Sequence, residues 1–278
     1  MSTQPNNSSP ESLLEGRAAY FFSSKKKRRS EVFDFATRLE SMGETVAIGG
    51  FLRDLLLDGT RRFISDVDFV IRPPSLGEFE RDMKKLNASR NRFGGYSIQL
   101  SRWKVEVWPL ETTWAAVENH VDVTQMQDLL KVTFFNWDSI LYSVSKRKVF
   151  ASTKYFDQVS ARFLDINLAP NPNPLGNAVR AVRYAHRWQA WLGRSLAEHI
   201  ARQVKDVSWE VMANYERRSF GNSVMRFIDG DLAEKRLRCF LSSDYPVLQL
   251  TPKPEQLRLR LDDRQGENCS VVELVRSG

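Results

Sequence analysis

The chain has 278 residues, of which 42% are hydrophobic and 27% charged, a composition typical of a globular protein. Its two cysteines and three histidines exclude a disulfide framework and a metal cluster built from those residues. No apolar run approaches the ~20 residues needed to span a bilayer, so we expect no membrane partner and a cytoplasmic location, and the net charge of +7 favours polyanionic partners such as nucleic acid.

The first 30 residues are predicted to form a polar and basic extension that contains a short helix over 11–24. The densest positive cluster of the chain, residues 25–29, follows this helix. This cluster either contacts RNA phosphates or is a solvated linker. Ser30 is a good N-cap for a helix over 31–42, where the apolar positions form a broad stripe.

The stretch 46–71 predicts a strand, a glycine turn, a short helix and a second strand. The apolar run 46–48 ends at Gly49-Gly50, and adjacent glycines let the backbone turn sharply and approach a ligand closely. Leucines then recur at helical spacing. Residues 67–71 alternate as a strand does, with successive side chains on opposite faces.

Asp66 and Asp68 are expected on one face of that second strand because strand side chains repeat with period two. Two carboxylates held side by side repel each other, and a divalent cation is the usual compensation. Backbone N–H groups at the Gly49-Gly50 turn suit phosphate oxygens. Each feature alone fits a solvated strand edge or an ordinary turn, whereas both in this order favour a site for a metal and a nucleoside triphosphate.

The remaining chain predicts further helices and strands. A helix is expected over 76–86 and a strand pair over 96–100 and 103–108, with Lys104, Glu106 and Trp108 on one face. Prolines make 169–176 an extended linker. A strong helix over 177–191 carries a basic ridge that includes Arg180 and Arg183, helical spacing continues to 240, and residues 257–261 alternate as a strand or tail segment.

The segment Gly49-Gly50-x-x-Arg53-Asp54 followed by Asp66-x-Asp68 resembles the signature of class II tRNA nucleotidyltransferases. This family comprises CCA-adding enzymes and bacterial poly(A) polymerases, within the polymerase-β-like superfamily. The resemblance covers residues 45–190. It implies an α+β fold, with a nucleotidyltransferase head of a small mixed sheet flanked by helices over 31–168 and an all-α neck and body with an irregular tail over 169–278.

The resemblance also implies roles for individual residues. Asp66 and Asp68 would be catalytic and bind Mg²⁺, and the Gly49-Gly50 turn would hold the triphosphate, with Arg53 bracing the site or screening the carboxylates. In these enzymes a third acidic residue comes from a later strand.

Glu106 is our candidate for that third acid. Glu111 is the alternative, although it follows Pro109 and is expected past the end of the strand. An exposed strand glutamate would explain Glu106 equally well.

The family's arm, which contacts the triphosphate and sugar, corresponds to Lys131 and Asn136. The match is partial, and Asn136 could instead satisfy a buried backbone group. Arg180 and Arg183 could hold phosphates or the base, or form a solvated helix face. The acidic and arginine residues that select the base in the family are absent from 171–176, so this sequence departs from the family's pattern there.

The expected function is Mg²⁺-dependent transfer of NMP from an NTP, ATP or CTP or both, to the 3′ end of an RNA, with tRNA as the leading acceptor and pyrophosphate as the product. The body region is short for this family, so either a compact helical domain holds the acceptor or the acceptor is not a full tRNA. Two alternatives stay open: a toxin or defence factor that modifies a tRNA, a protein or a small molecule, and a catalytically silent RNA-binding module.

Overall fold

The computed structural model describes residues 9–23, 27–60, 66–91 and 93–251, except for the side chains of 27–29. The chain divides into two compact units, Met1–Phe156 and Asp157–Gly278. The side chains of the basic cluster at 25–29 and the strand or tail segment predicted at 257–261 lie outside the described residues, so both interpretations stay predictions.

The first unit combines five α-helices with the strands of one sheet among its described residues. The helices are α1 (Pro10–Ser23), α2 (Lys27–Met42), α3 (Gly50–Asp58), α4 (Leu76–Lys85) and α5 (Trp114–Val117). The strands are β1 (Glu44–Ile48), β2 (Val67–Arg72), β3 (Ser89–Arg90), β4 (Tyr96–Gln99), β5 (Lys104–Pro109), β6 (Ile140–Ser143) and β7 (Lys148–Ala151). Short 3-10 turns cover Leu110–Thr112, Met126–Lys131 and Asn136–Asp138.

The seven strands are arranged in the order β3-β4-β5-β2-β1-β6-β7. β2 and β5 run parallel, and the other neighbouring strands are antiparallel. The predicted mixed sheet flanked by helices is therefore confirmed. β2 lies in the middle of the sheet, so a residue on β2 has a neighbour on each side, one from β1 and one from β5.

One face of the sheet packs against the first helices through aromatic rings. Phe69 of β2 lies 6.2 Å, between ring centroids, from both Phe22 of α1 and Phe35 of α2. Because strand residues alternate between faces, burial of Phe69 on this side directs Asp68 to the opposite face.

Helix α1 belongs to this core. Leu14, Ala18 and Phe21 are fully buried, and the Phe21 ring lies 4.9 Å from that of Phe51 at the start of α3. Residues 10–23 are thus part of the head and not of a polar extension, because their apolar side chains recur on one helical face. Helix α2 begins ahead of Ser30, so Ser30 lies within the helix and does not cap it.

The opposite face carries a second apolar cluster, which the 3-10 turn Met126–Lys131 covers. The buried members are Val46, Ile48, Val70, Leu110, Met126, Leu129 and Leu141. Asp66 and Lys104, at the start of the parallel strand pair, are exposed. This face of the sheet is therefore covered over the apolar cluster, and it is polar and accessible to solvent at the start of β2 and β5.

The second unit is mainly helical. Its elements are α7 (Pro174–Trp188), α8 (Arg194–Val207), α9 (Trp209–Ser219), α10 (Gly230–Leu241), β8 (Phe163–Leu164), β9 (Trp191–Gly193) and β10 (Val247–Leu248), and α6 (Tyr155–Ser160) contains the division between the units. The three strands form a small sheet in the order β10-β9-β8. The predicted all-α neck and body did not include this small sheet, because its strands are too short to show a period in the sequence.

The predicted proline linker is shorter than expected. Helix α7 already begins at Pro174, since proline is tolerated in the first helical turn and the Asn173 side chain accepts a hydrogen bond from the Gly176 N–H at 3.0 Å. The helix ends at Trp188 because Gln189 adopts a left-handed conformation. The division between the units falls ahead of the predicted 168/169 boundary because β8 pairs with β9.

Candidate functional site

The strand register brings the predicted acidic residues onto one face of the sheet. Asp68 is the Cα partner of Ile48 on β1 and of Glu106 on β5. Asp66 lies two residues before Asp68, so its side chain is directed to the same face. Glu111, the alternative to Glu106, is exposed and lies in the 3-10 turn Leu110–Thr112 beyond β5.

Lys104 links two of these acids, a contact that the sequence analysis missed. Its ammonium donates to the Asp66 Oδ2 atom at 3.2 Å and to the Glu106 Oε1 atom. Burial acts to lower the pKa of Lys104, but the hydrogen bonds and negative charges of Glu106 and Asp66 outweigh it, and this pKa is raised. The ammonium therefore stays charged, and the site holds a cation between carboxylates.

The Gly49-Gly50 turn begins one residue beyond Ile48, the β1 partner of Asp68. Gly49 has a φ of 73°, a left-handed value that glycine adopts without strain. Its N–H donates to the Ile140 carbonyl at 3.1 Å, and its carbonyl accepts from the Leu52 N–H at 2.9 Å. Because α3 begins here, its first N–H groups and the positive end of its helix dipole lie at the turn.

Arg53 lies beneath the turn and is only 4% exposed. Its guanidinium bonds the Asp54 carboxylate, with Nη2 at 2.7 Å, and the Asp138 carboxylate, with Nη1 at 2.5 Å. A Cβ added at Gly50 would come within 3.2 Å of the Arg53 Nη2 atom. Arg53 therefore braces the turn against the Asn136–Asp138 segment, and its charge is balanced by two carboxylates.

The arm residues lie in two successive 3-10 turns. Lys131 is largely exposed and its ammonium contacts the Asp128 Oδ1 atom at 3.0 Å. That contact with Lys131, together with N–H donors from Thr124 and others, lowers the pKa of Asp128 to about 2. Asn136 is 9% exposed and begins the turn that ends at Asp138, the partner of Arg53.

In the second unit, Arg180 and Arg183 have different surroundings. Arg180 is exposed, and its Nη1 atom lies 3.4 Å from the Asn177 Oδ1 atom. Arg183 pairs with the fully buried Glu216, donates to the Asn222 carbonyl at 2.8 Å and packs 4.5 Å over the Phe220 ring. The Arg183 guanidinium thus has a structural role within its own unit.

Replacement of Glu216 by Gln should destabilise the second unit at neutral pH by about 3 kcal/mol, since it breaks a buried ion pair. Burial acts to raise the pKa of Glu216, but donors that include the Val224 and Met225 N–H groups outweigh it, and the pKa is lowered. A lowered folded-state pKa stabilises the native state above the unfolded pKa, and this contribution is lost as pH falls through the folded pKa.

Urea unfolding at pH 7 and at about pH 4 measures this contribution. The difference between wild type and the Glu216→Gln variant should shrink at the lower pH. Glu234→Gln, which alters a more exposed pair with Arg238 on α10, is the control and should change the unfolding midpoint little. An equal loss for both variants would contradict the assignment.

The chemistry of the acid set, but not its present arrangement, fits a hard divalent cation. Carboxylate oxygens are the preferred protein ligands of Mg²⁺. In this structure the Asp66 and Glu106 carboxylates both bind the positively charged Lys104 ammonium. Across the described residues, no group of three or more His, Cys, Asp or Glu side chains is arranged as a metal site. Within those same residues, no helix is both long and apolar enough to cross a membrane.

No protein-family model and no curated protein sequence matches the chain. Among solved structures, a CCA-adding enzyme in complex with ATP is 12% identical with a TM-score of 0.51, over 81% of this chain and 53% of that one. A tRNA-processing enzyme complex is 16% identical with a TM-score of 0.51, over 80% and 60% of the two chains. A CCA-adding enzyme in complex with CTP is 16% identical with a TM-score of 0.48, over 73% and 47%.

The chain spans about half the length of the CCA-adding enzymes that it matches. At these identities the likeness concerns the fold. The sequence and structural observations together show that this chain has the nucleotidyltransferase fold found in CCA-adding enzymes.

Proposed function

We propose that this protein is a Mg²⁺-dependent nucleotidyltransferase that transfers NMP from an NTP to an acceptor hydroxyl, with an RNA 3′ end as the acceptor and pyrophosphate as the leaving group. One observation carries the proposal. Asp68 is paired in register with Glu106 on one side and, on the other, with Ile48, the residue that leads into the Gly49-Gly50 turn. The acids and the Gly49-Gly50 turn are thereby adjacent.

Asp66, Asp68 and Glu106 would hold the magnesium. When bound, Mg²⁺ lowers the pKa of the attacking hydroxyl and neutralises charge on the triphosphate. The three carboxylates fix the place where positive charge is held. Such preorganised electrostatics and positioning account for most of the catalysis in phosphoryl transfer.

The Gly49-Gly50 turn would bind the triphosphate oxygens through the first N–H groups of α3, where the helix dipole favours negative charge. Arg53 acts on the nucleotide through that turn, because its guanidinium fixes the turn to Asp138. Lys131 is exposed enough to move from Asp128 to a phosphate oxygen. Asn136, in the turn that Arg53 holds, would contact the sugar.

The proposed NTP and acceptor follow from the fold and the charge. A CCA-adding enzyme with ATP and a tRNA-processing enzyme are among the solved structures with TM-scores above 0.5, which supports ATP as a nucleotide and tRNA as the RNA. CTP, alone or with ATP, stays the alternative nucleotide. The net charge of +7 favours a polyanionic acceptor through counterion release. Arg180 is exposed and could contribute to that contact.

A second acceptor class is supported by the start of α7. The family's base-selecting residues would fall at 171–176, where Asn173 instead caps the helix and donates to the Tyr215 hydroxyl at 3.1 Å. The same chemistry could therefore serve a toxin or defence factor that modifies a tRNA, a protein or a small-molecule acceptor.

Incubation of the protein with each α-labelled NTP, Mg²⁺ and one acceptor at a time tests the proposal. Total RNA, purified tRNA, a protein extract and free nucleosides are offered separately. Label on the 3′ end of tRNA supports the leading proposal, and label on protein or on a small molecule supports the second. RNA binding without turnover of any NTP would favour a silent binding module and contradict both.

A further inference from the structure

The parallel strands β2 and β5 place a lysine among the acids. Val67 and Val105 are Cα partners, so the preceding residues, Asp66 and Lys104, lie side by side at the start of the pair. Lys104 and Glu106 are two residues apart on β5 and share a face. The Lys104 ammonium contacts both Asp66 and Glu106.

We propose that Lys104 competes with the divalent cation for the Asp66 and Glu106 carboxylates and thereby sets the metal affinity of the site. This inference rests on the proposed function, which assigns those carboxylates to Mg²⁺. In the absence of metal, the Lys104 ammonium reduces the repulsion between the Asp66 and Glu106 carboxylates.

The exposure of the three side chains supports a displaceable contact. The Glu106 side chain is 20% exposed, whereas those of Lys104 and Asp66 are 42% and 51% exposed. A lysine ammonium on a flexible four-carbon stem can leave such a position and be hydrated by water. A divalent ion brings twice the charge of the ammonium, and the same carboxylate oxygens can bind it directly as ligands.

The charge balance points in the same direction. Asp66 and Glu106 supply two carboxylates to this face, and Lys104 brings one positive charge to them. Removal of Lys104 leaves the acids without their internal cation, so their attraction for a metal ion increases. Ion pairs that are partly exposed to solvent are weak, so the loss of both Lys104 contacts predicts an affinity increase of about three- to tenfold.

Binding of Mn²⁺ alone, without nucleotide or RNA, tests the proposal independently of activity. Electron paramagnetic resonance of free Mn²⁺ gives the dissociation constant for wild type and for the Lys104→Met variant. We expect Lys104→Met to bind Mn²⁺ about three- to tenfold more tightly, and Lys104→Arg, which keeps the charge, to bind no more tightly than wild type. Lys85→Met is the matched control, since Lys85 pairs with Asp82 at 2.8 Å on α4.

Unchanged or weaker Mn²⁺ binding by Lys104→Met would overturn the proposal, as would equal tightening by Lys85→Met. The Asp68→Asn variant distinguishes this failure from failure of the proposed function. If Asp68→Asn weakens Mn²⁺ binding while Lys104→Met has no effect, the metal site stands and the role of Lys104 falls. If Asp68→Asn leaves Mn²⁺ binding unchanged, the proposed metal site itself is wrong, and the role of Lys104 falls with it.

Discussion

Replacement of Asp68 by Asn should reduce nucleotide transfer by at least about 10²–10³-fold, the loss that follows removal of one electrostatic group from a transition-state site. Asp68 lies in the middle of the sheet between Ile48 and Glu106, and the proposed function assigns its carboxylate to the magnesium. Asn has nearly the same shape and keeps the strand pairing. Initial rates of label transfer from an α-labelled NTP measure the effect.

The matched control is Asp82→Asn, which removes an aspartate from α4 that pairs with Lys85. It should retain wild-type transfer. Circular dichroism of both variants establishes that the fold is kept. A folded Asp68→Asn protein that transfers nucleotide at the wild-type rate would show that the catalytic acids are elsewhere.

Replacement of Arg53 by Met should lower the free energy of unfolding of the first unit by about 3–5 kcal/mol. Removal of one partner from a buried ion pair leaves an uncompensated charge, and here both Asp54 and Asp138 lose their shared guanidinium. Urea unfolding followed by fluorescence measures the loss. Nucleotide affinity should fall as well, because the Gly49-Gly50 turn loses its brace.

Arg53→Lys keeps the charge but loses the two-sided hydrogen bonding, so it should show an intermediate loss of stability. Arg81→Met serves as the control, since Arg81 is exposed and lies 3.6 Å from Glu78 on the surface of α4. It should change stability by no more than ~1 kcal/mol. Full stability of Arg53→Met would mean that Arg53 does not hold the turn.

The sequence could predict the elements whose residues repeat with a clear period. Alternation in β2 and β5 and the leucine spacing of α3 depend only on neighbouring residues, so they were visible without tertiary information. The two-residue strands β3, β8 and β10 are too short to have a period. The place of α1 in the core was also missed, because its polar and basic neighbours in the chain dominate the composition.

The candidate site likewise has a part that the sequence could predict and a part that it could not. Gly49, Gly50, Asp66 and Asp68 form a local pattern, whereas the contacts of Lys104 with Asp66 and of Arg53 with Asp138 join residues 38 and 85 positions apart. Such contacts depend on strand order and register, which the sequence does not reveal. Arg183 was placed on a basic ridge, and only the fold shows the buried Glu216 that neutralises it.

We propose that Asp66 and Asp68, beside the Gly49-Gly50 turn, bring about nucleotidyl transfer with magnesium. Parallel reactions with an NTP labelled at the α- or the γ-phosphate, in the presence of Mg²⁺ and RNA, test it most directly. We expect the α label to join the acceptor and the γ label to leave as pyrophosphate. Both events should be lost without Mg²⁺ and in the Asp66→Asn/Asp68→Asn double variant. Transfer of the γ label to the acceptor, or undiminished transfer of the α label by a folded double variant, would contradict this catalytic role of Asp66 and Asp68.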